Sequence, residues 1–152
     1  MRLQKLKNSR SASYACGDRL GALMRFLIPS ASDVGGYGVM TTYQHRCVPA
    51  GIKAGQPLAG DNCAFSGFDE NKFFSWLPLL GAYRSTCLFV VAPDAVGDSS
   101  QTLDMFSEYA PRMLGWPVAF VAQDGQEDME FPPSELWTTL FVGGSTAWKE
   151  SA

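Results

Sequence analysis

The amino-acid sequence predicts an α/β fold of about five β/α units around a parallel sheet, and three observations carry that prediction. Five short apolar runs recur along the chain: Phe26 to Ile28, Pro57 to Ala59, Cys87 to Ala92, Val118 to Ala122 and Leu140 to Val142. Each is too short for a helix and apolar enough for a strand covered on both faces. Most are separated by loops rich in Gly, Asp or Asn and by stretches of helical spacing, with the dozen or more residues that a right-handed crossover needs.

The elements follow in order. Phe26 to Ile28 is the first strand, and the Gly35, Gly36, Gly38 cluster beyond it reads as a loop. That cluster has neither the GxGxxG nor the GxxxxGK spacing, and no Lys follows it, so it is no phosphate-binding fingerprint. After the second strand, Asp69 to Tyr83 sets Phe73, Phe74, Trp76, Leu77 and Leu80 at near-helical spacing, with Pro78 expected to bend or shorten the helix. Beyond the third strand, Ser99 or Ser100 is placed to cap a helix running to Leu114, with Leu103, Phe106, Tyr109, Ala110 and Met113 inward and Gly115 as its stop. A short helix from Pro133 to Trp137 precedes the fifth strand, and another begins near Thr146. Five such units fit either a flavodoxin-like sheet or the front of an eight-stranded barrel, and periodicity alone leaves both open.

Composition narrows the functional classes. The 152 residues are 46% hydrophobic and 18% charged, enough for one packed core and unlike a disordered chain. Six of the twelve basic residues (Arg2, Lys5, Lys7, Arg10, Arg19 and Arg25) lie in the first 25 positions beside one acid, Asp18. Residues 1–23 are therefore expected to be a basic, disordered extension, and residues 24–152 the folded domain. The remainder has a balance of −8, so any nucleic acid must be held by local contacts and not by bulk attraction of phosphates. Cys16, Cys47, Cys63 and Cys87 are too dispersed for paired metal-ligand spacing, and His45 is the one histidine. Reduced thiols, a cytoplasmic location, no metal and no cofactor are expected. No run of about 18 apolar residues marks a membrane span.

In parallel α/β folds the working residues lie where strands end at their carboxyl side. Here the second strand leads into Asp61-Asn62-Cys63-Ala64-Phe65, the third into Pro93-Asp94, the fourth into Gln123-Asp124-Gly125 and the fifth into Gly143-Gly144-Ser145. Any one Asp or Asn among them reads equally as a turn or cap residue. Together, two carboxylates, an amide and a paired Gly turn on one rim can read a purine edge. Carboxylates accept from its N–H groups, a Gln amide donates to its carbonyl oxygen, and Gly exposes backbone N–H. Tyr37 and Phe65 are candidates for stacking on a base, with ordinary packing as the alternative. Gly144-Ser145-Thr146 opens a helix that could hold a phosphate, although capping explains Ser145 as well. The acidic loop of Asp124, Glu127, Asp128 and Glu130 reads as a solvated surface.

These strand ends resemble the tRNA-guanine transglycosylase family. Asp61-Asn62-Cys63-Ala64-Phe65 is similar to its Asp-Ser-Gly-Gly-Phe signature, and Asp94, Gln123 and Gly143-Gly144 follow in the same order. The resemblance is closer to the shorter phage and bacterial paralogues that place 7-deazaguanine bases in DNA. Those carry segments similar to Ala92-Pro93-Asp94-Ala95-Val96-Gly97-Asp98, Phe120-Val121-Ala122-Gln123-Asp124-Gly125 and Gly143-Gly144-Ser145-Thr146-Ala147-Trp148-Lys149. It spans roughly Met24 to the end and implies a partial TIM (β/α)8 barrel that exchanges guanine for a 7-deazaguanine base through a covalent glycosyl intermediate.

By position, the resemblance makes Asp61 the catalytic acid/base. Asp94 and Gln123 would bind the base edge and Gly143 and Gly144 offer backbone contacts; Asn62, Phe65 and Asp124 on the same strand ends complete the expected substrate-binding set, with DNA as the expected partner and tRNA as the alternative. Cys63 stands where the family has Gly; the residue reads as a small buried filler, with a nucleophilic thiol paired to His45 as the sharper alternative. The family's nucleophilic Asp falls on a later strand, so a truncated enzyme, or a second chain completing the barrel, is expected. A purine-binding module without catalysis and a flavodoxin-like ligand-binding domain are the other readings.

Overall fold

The computed structural model describes residues 27–29 and 37–151, and the basic segment at 1–23 lies outside them. Six strands form one sheet: β1 (Leu27–Ile28), β2 (Gly38–Thr42), β3 (Leu58–Asp61), β4 (Cys87–Val91), β5 (Val118–Ala122) and β6 (Thr139–Val142). All neighbours are parallel and the spatial order equals the chain order. The sheet curls into half of a barrel. Sequential order rules out the flavodoxin-like alternative, whose chain reverses direction at a switch point.

Sequence reading expected about five strands and missed β2. Its Gly38-Val39-Met40-Thr41-Thr42 follows a glycine cluster and carries two polar threonines, so it scans as loop. Register with β3, from Val39↔Leu58 to Thr42↔Asp61, supplies the strand that local pattern did not. A one-turn helix α1 (Ala50–Lys53), also unanticipated, leads into β3.

Helices cover the outer face. Asp69 caps α2 (Glu70–Trp76) by accepting from Lys72 N. Pro78 then removes an N–H and crowds the preceding turn, so the segment continues as 3-10 helix over Leu77–Thr86 and not as the α-helix expected to Tyr83. The helix α3 (Ser99–Tyr109) is capped by Asp98, one residue before the expected Ser99, with Gln101 N donating to its carboxylate. Pro111 tightens its end into a 3-10 turn at Ala110–Met113, and Gly115, at φ +86°, turns the chain toward β5. The expected helix around Pro133 to Trp137 is a single 3-10 turn, Ser134–Leu136, and α4 (Thr146–Ser151) follows β6.

The core lies between sheet and helices. Val39, Leu58, Val90, Ala92, Val118 and Phe120 project outward against Ile52, Phe73, Trp76, Leu77, Leu80, Phe106, Ala110 and Met113. Phe106 meets Phe120 edge to face at 5.1 Å between ring centroids. Gly60 leaves room for Trp76, since a Cβ there would lie 3.1 Å from the indole. On the concave face the rings of Phe89 and Phe141, on strands either side of β5, approach to 6.2 Å over the small Ala119 and Val121. Leu140 and Val142 stand in register with the covered Phe120 and Ala122 yet remain 44% and 56% exposed on the edge strand β6. Among the described residues no helix is long and apolar enough to cross a membrane.

Candidate functional site

Because every strand is parallel, the segments leaving β2 to β6 all emerge at one end of the sheet. At the end of β3, Cys63 N donates to Asp61 Oδ1 at 2.9 Å and Ala64 N to Asn62 Oδ1 at 2.8 Å, two successive side-chain-closed turns. Between these two turns the backbone passes through a left-handed residue, Cys63 at φ +61°, the one described non-glycine residue with positive φ. Glycine adopts this conformation freely, whereas Cys63 holds it at a steric cost.

Asn62 is 1% exposed and reaches across to β4, where its Nδ2 donates to Ala92 O at 2.5 Å and to Asp94 Oδ1 at 2.6 Å. The other Asp94 oxygen accepts from Gln123 Nε2 at 2.5 Å. Gln123 Oε1 in turn accepts from Gly97 N at 2.9 Å and Gly144 N at 2.7 Å. One hydrogen-bonded chain thus ties the ends of β3, β4, β5 and β6 together. Asp94 and Gln123 are 7% and 2% exposed. Burial pushes the Asp94 carboxyl above the ordinary carboxylate range; hydrogen bonds from Asn62 and Gln123 oppose this, and the negative charge of Asp61 adds to it.

The paired glycines fit that chain closely. A Cβ on Gly143 would sit 2.7 Å from Val121 Cγ1 and 2.9 Å from Gln123 Nε2, while Gly144 turns at φ +71° against Asp124 and Trp148. Their N–H groups are spent internally, Gly143 N on Ala122 O and Gly144 N on Gln123 Oε1, so they do not offer the free backbone donors expected from sequence. At Gly144-Ser145-Thr146 the phosphate reading meets an occupied donor, because Ser145 N donates to Asp124 Oδ1 at 2.6 Å, while the capping alternative has its bond, Trp148 N to Ser145 Oγ at 3.1 Å. Hydrogen bonds from the Ser145 side chain, and then from its backbone N–H, hold the Asp124 carboxyl below its ordinary range, with a smaller contribution from the charge of Lys149. Trp148 Nε1 donates to Glu127, which latches α4 to the loop after β5.

Phe65 falls outside the buried chain. It sits on the 3-10 turn Ala64–Ser66 at 93% exposure. Tyr37 precedes β2 and so lies at the amino end of the sheet, away from the rim where a base-stacking role would put it. Cys63 is buried, and burial raises its thiol pKa, with the charge of Asp61 adding to the rise and hydrogen bonds from Thr42 and Tyr43 opposing it. The His45 imidazole bonds through Nδ1 to Thr41 Oγ1 at 2.9 Å and accepts from Thr42 N at 3.4 Å, so it is oriented by β2 and not by the thiol. A protonated, buried thiol without a base is a poor nucleophile. Among the described residues no cluster of three or more His, Cys, Asp or Glu side chains gathers as a metal site.

Sequence reading did not find Gly97, whose N–H holds Gln123, nor the side chains of Tyr43 and Gln44 that β2 brings to the rim. Tyr43 Oη donates to Gly67 O at 3.0 Å and accepts from Asp69 N at 3.1 Å, and Gln44 Nε2 donates to Ser66 Oγ at 3.0 Å. Recognising β2 as a strand would have exposed both. No known protein family, no curated protein and no solved structure matches the chain, so the meaning of this site rests on its geometry and its residues.

Proposed function

We propose that the chain is a nucleic-acid guanine transglycosylase-like protein, its half-barrel being part of a TIM barrel. In this reading the rim cluster seats a guanine or 7-deazaguanine base of DNA. The observation that carries the proposal is the hydrogen-bonding capacity left over in the buried cluster. Both Asn62 amide protons are used, and both lone pairs of Gln123 Oε1 are used. One Gln123 Nε2 proton remains, and Asp94 has accepted two of the roughly four bonds a carboxylate can take. Two acceptor sites beside one donor complement the N1–H, the amino group and the O6 of guanine. Adenine presents the opposite order at the same positions and would set donor against donor.

Asp61 supplies the acid/base function in this proposal. It closes β3 on the concave face, in register with Thr42, and one carboxylate oxygen is engaged by Cys63 N. Its negative charge raises the Asp94 pKa, so the two carboxyls are close enough to feel each other. Incubating the protein with guanine-containing DNA, or with tRNA in parallel, and radiolabelled 7-deazaguanine base tests the proposal. With the remaining strands of the barrel supplied by a second chain, label entering DNA is expected; no label in either nucleic acid, with or without that chain, counts against exchange.

A second reading, base binding without exchange, has an observation of its own. A double displacement uses two carboxylates, one as nucleophile and one as acid/base. At this rim Asp94 is committed to Asn62 and Gln123, and Asp124 to Ser145, which leaves Asp61 as the carboxylate beside the cluster. Saturable base binding with no label transfer supports that reading.

A further inference from the structure

Next to the buried cluster the rim carries a feature that base binding does not use. The loops leaving β2 and β3 enclose an open cleft of about 590 Å³ lined by Tyr43, Gln44, Ser66, Gly67, Asp69 and Lys72. Phe65 adjoins it through Ser66 and is almost wholly exposed. This is no floppy loop tip. Three hydrogen bonds, Tyr43 to Gly67, Asp69 to Tyr43 and Gln44 to Ser66, brace the segment that carries the ring. A solvent-facing aromatic on a braced segment beside a polar cleft has the form of a stacking platform for an unpaired base.

Charge points the same way. The loop after β5 carries Asp124, Glu127, Asp128 and Glu130, which repel phosphate from that side of the rim. On the opposite side Lys72 lines the cleft, and Arg46 lies exposed two residues beyond Gln44 with no ion pair among the described residues. Lys72 is shared with Asp69 at 2.8 Å, an exposed pair that a phosphate can compete for. In a domain whose net charge is acidic, a nucleic-acid strand is steered away from the acidic β5 loop and toward the side of the rim that carries Lys72, Arg46 and the Phe65 ring.

We infer that Phe65 and the adjoining cleft bind the nucleotide flanking the target base in a single-stranded or locally opened nucleic acid. The Phe65 ring stacks on the flanking base, and Lys72 and Arg46 contact its phosphate. The inference rests on the base-pocket reading and adds that the substrate is an unpaired strand, gripped on the β2–β3 side.

The test uses the full chain and a short single-stranded DNA with one guanine flanked by the fluorescent base 2-aminopurine, with RNA and duplex forms of the same sequence in parallel. Binding of the DNA or RNA single strand should quench the 2-aminopurine. Phe65→Ala should weaken that binding about 10-fold or more and abolish the quench, while Phe65→Trp restores both. Arg46→Ala and Lys72→Ala should each lower the salt dependence of binding by about 0.7 in the log–log slope. Phe65, Arg46 and Lys72 are all exposed, so none of these changes disturbs the core. Unchanged oligonucleotide binding by Phe65→Ala overturns the inference, as does equal binding of the duplex without quench. Calorimetry with free guanine separates the two levels. If wild type binds guanine and Phe65→Ala loses it by the same factor as the oligonucleotide, Phe65 belongs to the base pocket and the flanking-site inference fails while the pocket stands. If wild type binds no guanine, the pocket reading fails first.

Discussion

Replacing Gln123 by Glu changes one NH2 group to oxygen at the centre of the rim cluster, and its cost can be worked from a single distance. Gln123 Nε2 lies 2.5 Å from Asp94 Oδ2, with both residues buried. Two ionised carboxylates at that separation repel by about 7 kcal/mol even at an effective dielectric constant of ~20. Taking up one shared proton is cheaper. It costs about 1.4 kcal/mol for each pH unit above an unfolded carboxyl pKa of ~4.3, or about 4 kcal/mol at pH ~7. The folded variant should therefore hold a proton that the unfolded chain releases. A pKa raised on folding gives stability that is full below the unfolded value and is lost as pH rises through the folded one. Asp94 in the wild type is raised in the same sense, so the quantity to compare is the variant's slope minus that of the wild type. Urea unfolding of both proteins should give a deficit of about 4 kcal/mol at pH ~7, shrinking to about 1 kcal/mol at pH ~5. Gln123→Met, which adds no charge, should show a deficit of about 2–4 kcal/mol from its lost hydrogen bonds, with little pH dependence. A Gln123→Glu deficit that is flat across this range would mean that Gln123 and Asp94 are not in contact, and the cluster as described would be wrong.

Three further predictions concern the same rim and the thiols. Cys63→Gly relieves a left-handed backbone but loses a small buried side chain, so it should stay within about 1 kcal/mol of wild type, whereas the β-branched Cys63→Val should lose about 2 kcal/mol or more in thermal unfolding. Gly144→Ala meets both a positive φ and a Cβ position 2.6 Å from Asp124 Oδ1, and should cost about 2 kcal/mol or more while shifting the fluorescence of the adjoining Trp148. Burial raises the Cys87 pKa to about 11, so near pH ~8 iodoacetamide should label exposed Cys47 and leave Cys87 unmodified in the folded protein, as peptide mass mapping would show.

The apolar runs at Cys87 to Ala92 and Val118 to Ala122 marked β4 and β5 well because both are apolar throughout, and β5 is buried along its whole length, so neither carries an alternation to misread. β2 was not legible. Its threonines and glycine lead-in resemble a turn, and only pairing with β3 makes it a strand. Prolines at 78 and 111 set the change from α-helix to 3-10 helix; the first was visible as a breaker, and the second was passed over inside an otherwise good helical pattern. At the site, the residue types and their order at strand ends indicated which side chains would gather. Pattern could not tell that Asp94, Asn62 and Gln123 bond to one another, nor that Gly144 and Ser145 give their N–H groups to Gln123 and Asp124. Those are properties of strand spacing, which brings neighbouring ends within side-chain reach of each other.

The base pocket is tested most directly by calorimetric titration of the wild-type chain with guanine, 7-cyano-7-deazaguanine and adenine. Two acceptor sites on Asp94 beside one donor on Gln123 predict saturable one-to-one binding of the first two and none of the third. Adenine binding as tightly as guanine, or no heat from any of the three, would contradict the pocket.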